Sequence, residues 1–347
     1  MKNYRDFEVA EFDYFDLGIW KGGLLKFLQT YSNSTITWSF TGLFKLRIYA
    51  FPKEYFALLR KANIPIKYRN VRMSPTSIII KDPKSKSLYR CSFMRKNNHF
   101  IKNNLDFITG SSKLPRPSHA ELITSLPFRI TKETLVGGRH PKASEWSEEK
   151  HKFVIHYLRQ LHGESALKET FNLKKELNNY DSYIDTLPRN VQSSLRNLRN
   201  YLLKKSLPLK EVVNKAQIHG DLTIRNIIFS QQKPIFIDFD RNTISFPEFD
   251  YFLLYADRST YCHPNPSYSV FFNEIFSLMF KNDPANVLPN YLRRRYKKYS
   301  PVIRGELSYL FIYRLLALTL TNMASTSESM SLIRRISQLF RSLKTKF

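Results

Sequence analysis

Two short apolar runs separated by a polar turn constrain this chain more than any other feature of its sequence. Residues 227–229 and 235–239 are rich in isoleucine and phenylalanine, whereas the intervening residues 230–233 are polar. This pattern predicts two paired strands joined by a tight turn. The loop that leads into the first strand, residues 217–226, reads Gln-Ile-His-Gly-Asp-Leu-Thr-Ile-Arg-Asn. Its polar side chains should therefore lie at one end of the strand pair.

Three oxygen-bearing side chains are predicted to converge at that end. Asp221 and Asn226 lie five residues apart in the loop, and Asp238 ends the second strand. A hard cation such as Mg²⁺ prefers carboxylate and amide oxygens, which Asn226 and Asp238 supply. Asp221 is then free to orient an attacking hydroxyl group and accept its proton, as in-line phosphoryl transfer requires. Each residue alone has a plainer explanation as a cap, a turn residue or a buried polar group, but their order and spacing together favour phosphoryl transfer.

The pattern His-x-Asp, four residues, Asn, then an apolar strand ending in Asp resembles the catalytic and metal-binding segments of the protein-kinase-like superfamily. The segments read His-Gly-Asp at 219–221 and Ile-Asp-Phe-Asp at 237–240, which resembles most closely the aminoglycoside phosphotransferase and choline kinase branch. The resemblance extends over residues 66–340. It implies an α+β, bilobal protein-kinase-like fold with a small β-rich N-lobe and a larger helical C-lobe. It also implies ATP and Mg²⁺ as cofactors and a small molecule as the phosphate acceptor.

The resemblance suggests a division into an N-terminal extension at 1–65, a nucleotide-binding N-lobe at 66–138 and a catalytic C-lobe at 139–347. Period-two patterning and turn residues predict the N-lobe elements. These are strands at 68–73, 77–81, 88–93, 120–124 and 128–132, and a helix at 98–109. In the family, the segment after the last of these strands is the hinge whose backbone contacts adenine. That role would fall to residues 133–138, beginning with Glu133.

The predicted N-lobe departs from the family pattern in its phosphate-binding parts. Residues 43–109 contain no glycine, so Ser74 and Thr76 are predicted to contact the phosphates in place of a glycine-rich loop. Arg90 stands on the third strand where the family carries a lysine, and it keeps the charge of the lysine but not its compact ammonium group. The following helix offers no glutamate as a partner, because its only acid is Asp106. These departures support a second hypothesis, a catalytically inactive pseudokinase or scaffold that binds an anionic partner.

The charge of the chain indicates an anionic partner. There are 55 Lys and Arg residues against 29 Asp and Glu residues, a net charge of +26. Arg225 and Arg241 add positive charge where the acceptor should enter. We therefore expect a small-molecule or glycan acceptor that is anionic, such as a phosphorylated sugar or a lipopolysaccharide or other surface-polysaccharide precursor. Nucleic-acid binding would rest on charge alone, since no zinc, helix-turn-helix or aromatic stacking motif accompanies it. The alternative explanation of the positive charge is that the lysines are dispersed along the chain and solvated, without an anionic partner.

The sequence also predicts a cytoplasmic protein. Its only cysteines, Cys91 and Cys262, imply no disulfide framework, and its first residues lack the apolar run of a secretory signal. The most apolar stretch, 309–320, is too short to span a bilayer and contains Arg314. Residues 328–343 form a basic amphipathic pattern, which predicts either a helix docked on the core or peripheral contact with the inner membrane face.

Two further residues are predicted to be structural. In the related family, an aspartate at the position of Asp250 anchors the following helix to the catalytic loop. His162 ends an amphipathic helix predicted over residues 148–162, as is typical of the family. We therefore expect both side chains to be structural and to take no part in the chemistry.

Overall fold

The computed structural model describes most of the chain beyond residue 58 and three strands before it. The described residues are 8–13, 35–41, 45–51, 59–64, 71–73, 77–92, 98–110, 114–125, 128–142, 145–164, 166–185, 187–205, 211–230, 233–261, 268–320 and 326–342. For the first three strands the description covers the backbone. These are β1 (Glu8–Asp13), β2 (Thr35–Thr41) and β3 (Lys45–Phe51), which form an antiparallel sheet in the order β1-β3-β2.

A five-stranded antiparallel sheet forms the N-lobe. Its strands are β4 (Val71–Met73), β5 (Ser77–Asp82), β6 (Ser87–Ser92), β7 (Ala120–Thr124) and β8 (Ile130–Thr134), in the order β4-β5-β6-β8-β7. Helix α1 (Asn98–Thr109) connects β6 to β7 and has the predicted bounds. In the β6–β8 register Arg90 lies opposite Thr131, and Leu88 lies opposite Glu133. Side chains two residues apart on a strand share a face, so Arg90 and Glu133 are diagonal neighbours.

The C-lobe is mostly helical, as predicted. Its helices are α2 (Glu148–Glu164), α3 (Leu173–Asn178), α4 (Asp181–Ile184), α5 (Arg189–Lys205), α6 (Glu248–Tyr261), α7 (Tyr268–Phe276), α8 (Asn290–Tyr296), α9 (Pro301–Leu320) and α10 (Thr326–Ser342). Helix α9 is apolar on nearly every face and buried in the main core cluster. The bilobal, kinase-like arrangement expected from the sequence is therefore present.

The C-lobe also contains two small sheets. Strands β11 (Ile227–Ser230) and β12 (Lys233–Phe236) form the predicted antiparallel hairpin. Strands β13 (Thr243–Ser245), β10 (Val212–Ile218) and β9 (Leu167–Thr170) form a second sheet in that order. The polar sequence from residue 167 onward favours helix, but residues 167–170 form β9. Strand β9 is short and mostly exposed, so its sequence lacks the alternation of apolar and polar residues that identifies a strand. It forms because it pairs with β10.

The linker between the lobes is paired to the hairpin. Arg139 and Phe229 exchange backbone hydrogen bonds, 3.4 Å from Arg139 N to Phe229 O and 3.0 Å from Phe229 N to Arg139 O. This pairing requires Gly138, which has φ +121° and would place a Cβ 2.4 Å from the carbonyl oxygen of Phe229. The His140 ring nitrogen Nδ1 lies 3.2 Å from the carbonyl oxygen of Ile227. The linker is therefore attached to the strand that follows the catalytic loop.

Helix α10 lies against the core. Leu332, Ile333, Ile336 and Phe340 are buried, whereas Arg334 and Arg335 are exposed. The interpretation of this basic amphipathic helix as one docked on the core is confirmed. Among the helices that the structure describes, none combines the length and apolar character needed to cross a membrane.

Candidate active site

Asp250 at the start of α6 holds the backbone of the catalytic loop. Its Oδ2 accepts a hydrogen bond from the backbone N–H of His219 (2.7 Å), and its Oδ1 accepts one from that of Gly220 (2.9 Å). His162 Nε2 lies 3.4 Å from Oδ2. Burial alone would raise the pKa of Asp250, but its contacts with His162 and the loop N–H groups lower that pKa below the ordinary value. The predicted structural roles of Asp250 and His162 are confirmed.

Gly220 is a steric requirement of the loop. Its φ is +86°, and a Cβ at this position would lie 1.9 Å from the carbonyl oxygen of Arg241. Its own carbonyl accepts a 2.7 Å hydrogen bond from Nη2 of Arg314, a buried cation within the apolar stretch 309–320 of α9. Arg314 therefore connects the core helix directly to the catalytic loop, a role that its position in the sequence did not reveal.

Replacing Gly220 by alanine is expected to displace the loop and to lower both stability and activity. The positive φ costs on the order of 1–3 kcal/mol for a residue with a Cβ, and the contact with the Arg241 carbonyl adds to that cost. Thermal unfolding and turnover of the variant measure the two effects. Gly305→Ala is the matched control, because a Cβ there meets nothing within 4 Å and α9 should gain stability. A Gly220→Ala protein with wild-type activity would contradict the assigned loop conformation.

The structure brings the three predicted side chains to one place. Asn226 donates through Nδ2 to the backbone carbonyl of Asp221 (2.7 Å), so its amide oxygen faces away from that contact. The backbone N–H of Ile237 donates to the carbonyl of Asn226 (3.0 Å), which places Asp238 beside the loop. Asp257 of α6 fixes the other side by accepting from the N–H of Ile224 (2.7 Å). The amide oxygen of Asn226 and the carboxylate of Asp238 form a donor set that fits Mg²⁺.

Asp238 does not end a strand as predicted. Strand β12 ends at Phe236, and Asp238 adopts left-handed φ and ψ angles of 68° and 55° before a short 3₁₀ turn, Phe239–Arg241. An aspartate in this conformation is strained, and such residues concentrate at functional sites. The apolar run misled the prediction because Phe239 is buried for a different reason, stacking on Phe107 of α1 at 4.0 Å between ring centroids.

Arg90 is buried, and its guanidinium joins the two lobes. Nε donates to Glu133 Oε1 (3.0 Å), and Nη1 donates to Asp238 Oδ1 (2.7 Å). Burial opposes the charged form, but Glu133 and Asp238 raise the pKa of Arg90 above its ordinary value. The following helix offers Arg90 no glutamate, as the sequence indicates, but the neighbouring strand supplies Glu133 as its acidic partner. The partner was not predicted because the family pattern places this glutamate on the helix and not on a strand.

The other predicted nucleotide-binding positions are Glu133, Ser74 and Thr76. The carboxylate of Glu133 contacts Arg90, and its backbone lies in β8 opposite Leu88, so adenine contacts through a hinge stay a prediction for the residues that follow it. Ser74 and Thr76 lie outside the described residues.

Helix α1 contributes residues that the sequence analysis missed. Asn104 accepts a hydrogen bond from the backbone N–H of Phe239 (2.9 Å) and donates to Glu133 Oε1 (2.7 Å). Asn103 donates to the carbonyl of Asp240 (3.2 Å). A signal was available, since Asn104 is a polar residue on the apolar stripe of α1, three residues before Phe107. A polar side chain at such a position needs partners.

The charges around Asp221 differ in part from expectation. Arg225 is exposed, but Arg241 is buried behind the catalytic loop and not at an entrance. Its Nη1 lies 3.9 Å from Asp221 Oδ2, and Nη2 donates to the carbonyl of Leu318 (3.5 Å). Asp240 is also buried, and burial, together with the charge of Asp238, raises its pKa well above the ordinary value.

Comparison with known proteins agrees with this geometry. The model of the phosphotransferase enzyme family matches residues 128–270, which include the catalytic loop and the Asp238 turn. The predicted resemblance is confirmed. At the level of the family, the match supports the predicted class of enzyme, a kinase-type phosphotransferase with a hydroxyl acceptor. A comparison with curated protein sequences finds no match.

Three solved structures are similar to this chain. An amicoumacin kinase in complex with AMP-PNP and Ca²⁺ is 14% identical with a TM-score of 0.51, and the alignment covers 84% of this chain and 94% of that one. An aminoglycoside phosphotransferase in its apo form is 12% identical with a TM-score of 0.47, over 78% and 92% of the two chains. A choline kinase from Streptococcus pneumoniae is 14% identical with a TM-score of 0.43, over 83% and 99%. The first of these similarities shows a common fold.

Proposed function

We propose that this protein is an ATP-dependent phosphotransferase that phosphorylates a hydroxyl group of a small molecule or glycan. The observation that carries the proposal is that Asp221 and Asn226 share a loop whose backbone is fixed by Asp250 and Arg314. Asp238 is brought beside this loop by the hydrogen bond from the Ile237 N–H to the Asn226 carbonyl. Groups that are held in place before the substrate binds need little reorganisation during the reaction. The proposal includes the division of the chain into an extension, an N-lobe and a C-lobe at residues 65 and 138.

Each residue has a proposed role. Asp221, whose side chain is 31% exposed, orients the acceptor hydroxyl and accepts its proton. Asn226 and Asp238 hold Mg²⁺, which supplies neutralisation of the charge that develops on the transferred phosphoryl group. Arg90 contacts the phosphates of ATP, assisted by Ser74 and Thr76. The neighbouring kinase fold with bound AMP-PNP supports ATP as the phosphoryl donor.

We propose an anionic acceptor, in the class of phosphorylated sugars and surface-polysaccharide precursors. The net charge of +26 and the exposed Arg225 beside the catalytic loop support this choice. A cationic acceptor is best held by an acidic cleft, whereas Asp240 is buried away from solvent and burial raises its pKa. The exposed Arg334 and Arg335 of α10 suit peripheral contact with an anionic membrane face in the cytoplasm.

The affinity for such an acceptor is expected to weaken steeply with salt. At physiological ionic strength, charge attraction is screened over about 8 Å. The Michaelis constant of the acceptor should therefore rise several-fold or more between low and high salt, whereas polycations of the kanamycin type should be poor substrates at any salt concentration. A Michaelis constant that does not depend on salt, or efficient phosphorylation of kanamycin-like polycations, would remove the anionic acceptor from the proposal.

Two measurements test the proposed activity. Thermal shift with ATP, with and without Mg²⁺, tests binding, because a ligand stabilises the folded state according to its concentration relative to its dissociation constant. ATP consumption against a panel of sugars, sugar phosphates, amino alcohols, aminoglycosides and lipopolysaccharide-core fragments tests turnover. We expect magnesium-dependent binding and consumption with an anionic glycan. The absence of both would favour the inactive scaffold, for which the occupation of Asp238 by Arg90 is the motivating observation.

A further inference from the structure

A closed ring of hydrogen bonds joins the proposed phosphate-binding and metal-binding residues. Starting from Asp238, Oδ1 accepts from Arg90 (2.7 Å), and Arg90 donates to Glu133 (3.0 Å). Glu133 Oε1 accepts a second bond from Asn104 (2.7 Å), and Asn104 accepts from the N–H of Phe239 (2.9 Å). Because residues 238 and 239 are consecutive, the ring closes through the backbone. It contains one residue each from β6, β8 and α1.

The ring is shielded from water except at Asp238, whose side chain is 33% exposed. Arg90 and Glu133 are each 4% exposed, and Asn104 is 0% exposed. Water therefore cannot replace a lost partner at these positions. Breaking one bond leaves a buried donor or acceptor without a partner, which costs more than the loss of a solvated hydrogen bond.

The chemistry of the ring requires an amide at position 104. Asn104 donates through Nδ2 to a carboxylate and accepts through Oδ1 from a backbone N–H. An aspartate could accept from Phe239 but would place a second negative charge against Glu133. An alanine could neither accept the hydrogen bond from Phe239 nor donate one to Glu133. Asn104 is thus the point at which a movement of α1 reaches both Glu133 and the Asp238 turn.

We propose that Asn104 and Glu133 are positioning residues that set Arg90 and Asp238 relative to each other for binding of magnesium and ATP, an inference that rests on the proposed function. Glu133, the acidic partner of Arg90, lies on β8, and helix α1 contacts it through the neutral amide of Asn104. A shift of α1 breaks the ring at Asn104. It then releases the phosphate-binding and metal-binding residues together.

The test compares three variants. Asn104→Asp removes the donor to Glu133 and keeps an acceptor for Phe239, and Glu133→Gln keeps the shape and acceptor oxygen of residue 133 without its charge. Lys102→Gln is the control, since Lys102 lies on the exposed face of the same helix. For Asn104→Asp we expect the ATP dissociation constant to rise about tenfold. The magnesium concentration that gives half of the magnesium-dependent ATP binding should rise by about the same factor. This is the size expected for the loss of one buried hydrogen bond to a charged group. The control should match the wild type.

The double variant Asn104→Asp/Glu133→Gln separates positioning from general destabilisation. Removing the charge on residue 133 relieves its repulsion from the carboxylate introduced on α1, so magnesium dependence should recover in part and the effects should be non-additive. Wild-type magnesium and ATP constants in folded Asn104→Asp overturn the inference. If Asn104→Asp does not fold, Glu133→Gln decides, and wild-type constants in that variant overturn it equally. A wild-type protein without magnesium-dependent ATP binding would instead refute the proposed function.

Discussion

Replacing Asp221 by asparagine is expected to lower turnover by about two or more orders of magnitude, the usual contribution of a general base. The fold should persist, because the loop is held by its backbone contacts with Asp250 and Arg314 and not by the Asp221 carboxylate. Binding of ATP and magnesium should change little. Turnover with a hydroxyl acceptor, the ATP dissociation constant and thermal unfolding measure the three quantities.

Asp106→Asn provides the matched control for this experiment. Asp106 is an exposed carboxylate on α1, paired with Lys102 on the same helix, so its loss removes the same charge at a distance from the loop. This control should retain the activity of the wild type. Turnover of Asp221→Asn within a few-fold of the wild type would remove Asp221 from the role of base.

Asp238→Ala is expected to abolish the magnesium-dependent part of ATP binding. The substitution deletes a charged ligand of the proposed metal site. It also removes one of the two carboxylates on Arg90, leaving Glu133 as its acidic partner. Arg90 should then be freer to contact phosphate, so ATP binding without magnesium should be retained or strengthened. Titrations of ATP with and without magnesium measure the difference.

Asp240→Asn provides the comparison. Asp240 is buried, and burial and the neighbouring Asp238 raise its pKa, so a neutral asparagine of the same shape should be tolerated there. The loss of magnesium-dependent ATP binding in Asp240→Asn should be much smaller than the loss in Asp238→Ala. Identical magnesium responses in the wild type and Asp238→Ala would contradict the metal assignment, and a larger loss in Asp240→Asn would move the assignment to Asp240.

Local sequence patterns predicted the parts of the site that lie close together in the chain. Asp221 and Asn226 share one loop, and the hairpin that brings Asp238 near them is only a few residues long. Helix α1 and the strands of the N-lobe also follow from period and turn residues. These features depend on neighbours in sequence, so they can be inferred without knowledge of the tertiary structure.

The remainder of the site depends on contacts between distant segments. Arg90 and Asp238 are 148 residues apart, and Gly220 and Arg314 are 94 apart. No period or turn signal connects such pairs. Arg314 was noted only as a charge that interrupts an apolar stretch, and its partner became evident once α9 was placed against the loop. A buried cation in an apolar helix indicates that a partner exists without indicating which one.

The pairing of the linker with β11 has a mechanical consequence. Arg139 is paired with Phe229, three residues after Asn226, and a side chain at position 138 would meet the Phe229 carbonyl. A displacement of the linker would therefore be transmitted to Asn226 through only three residues of β11.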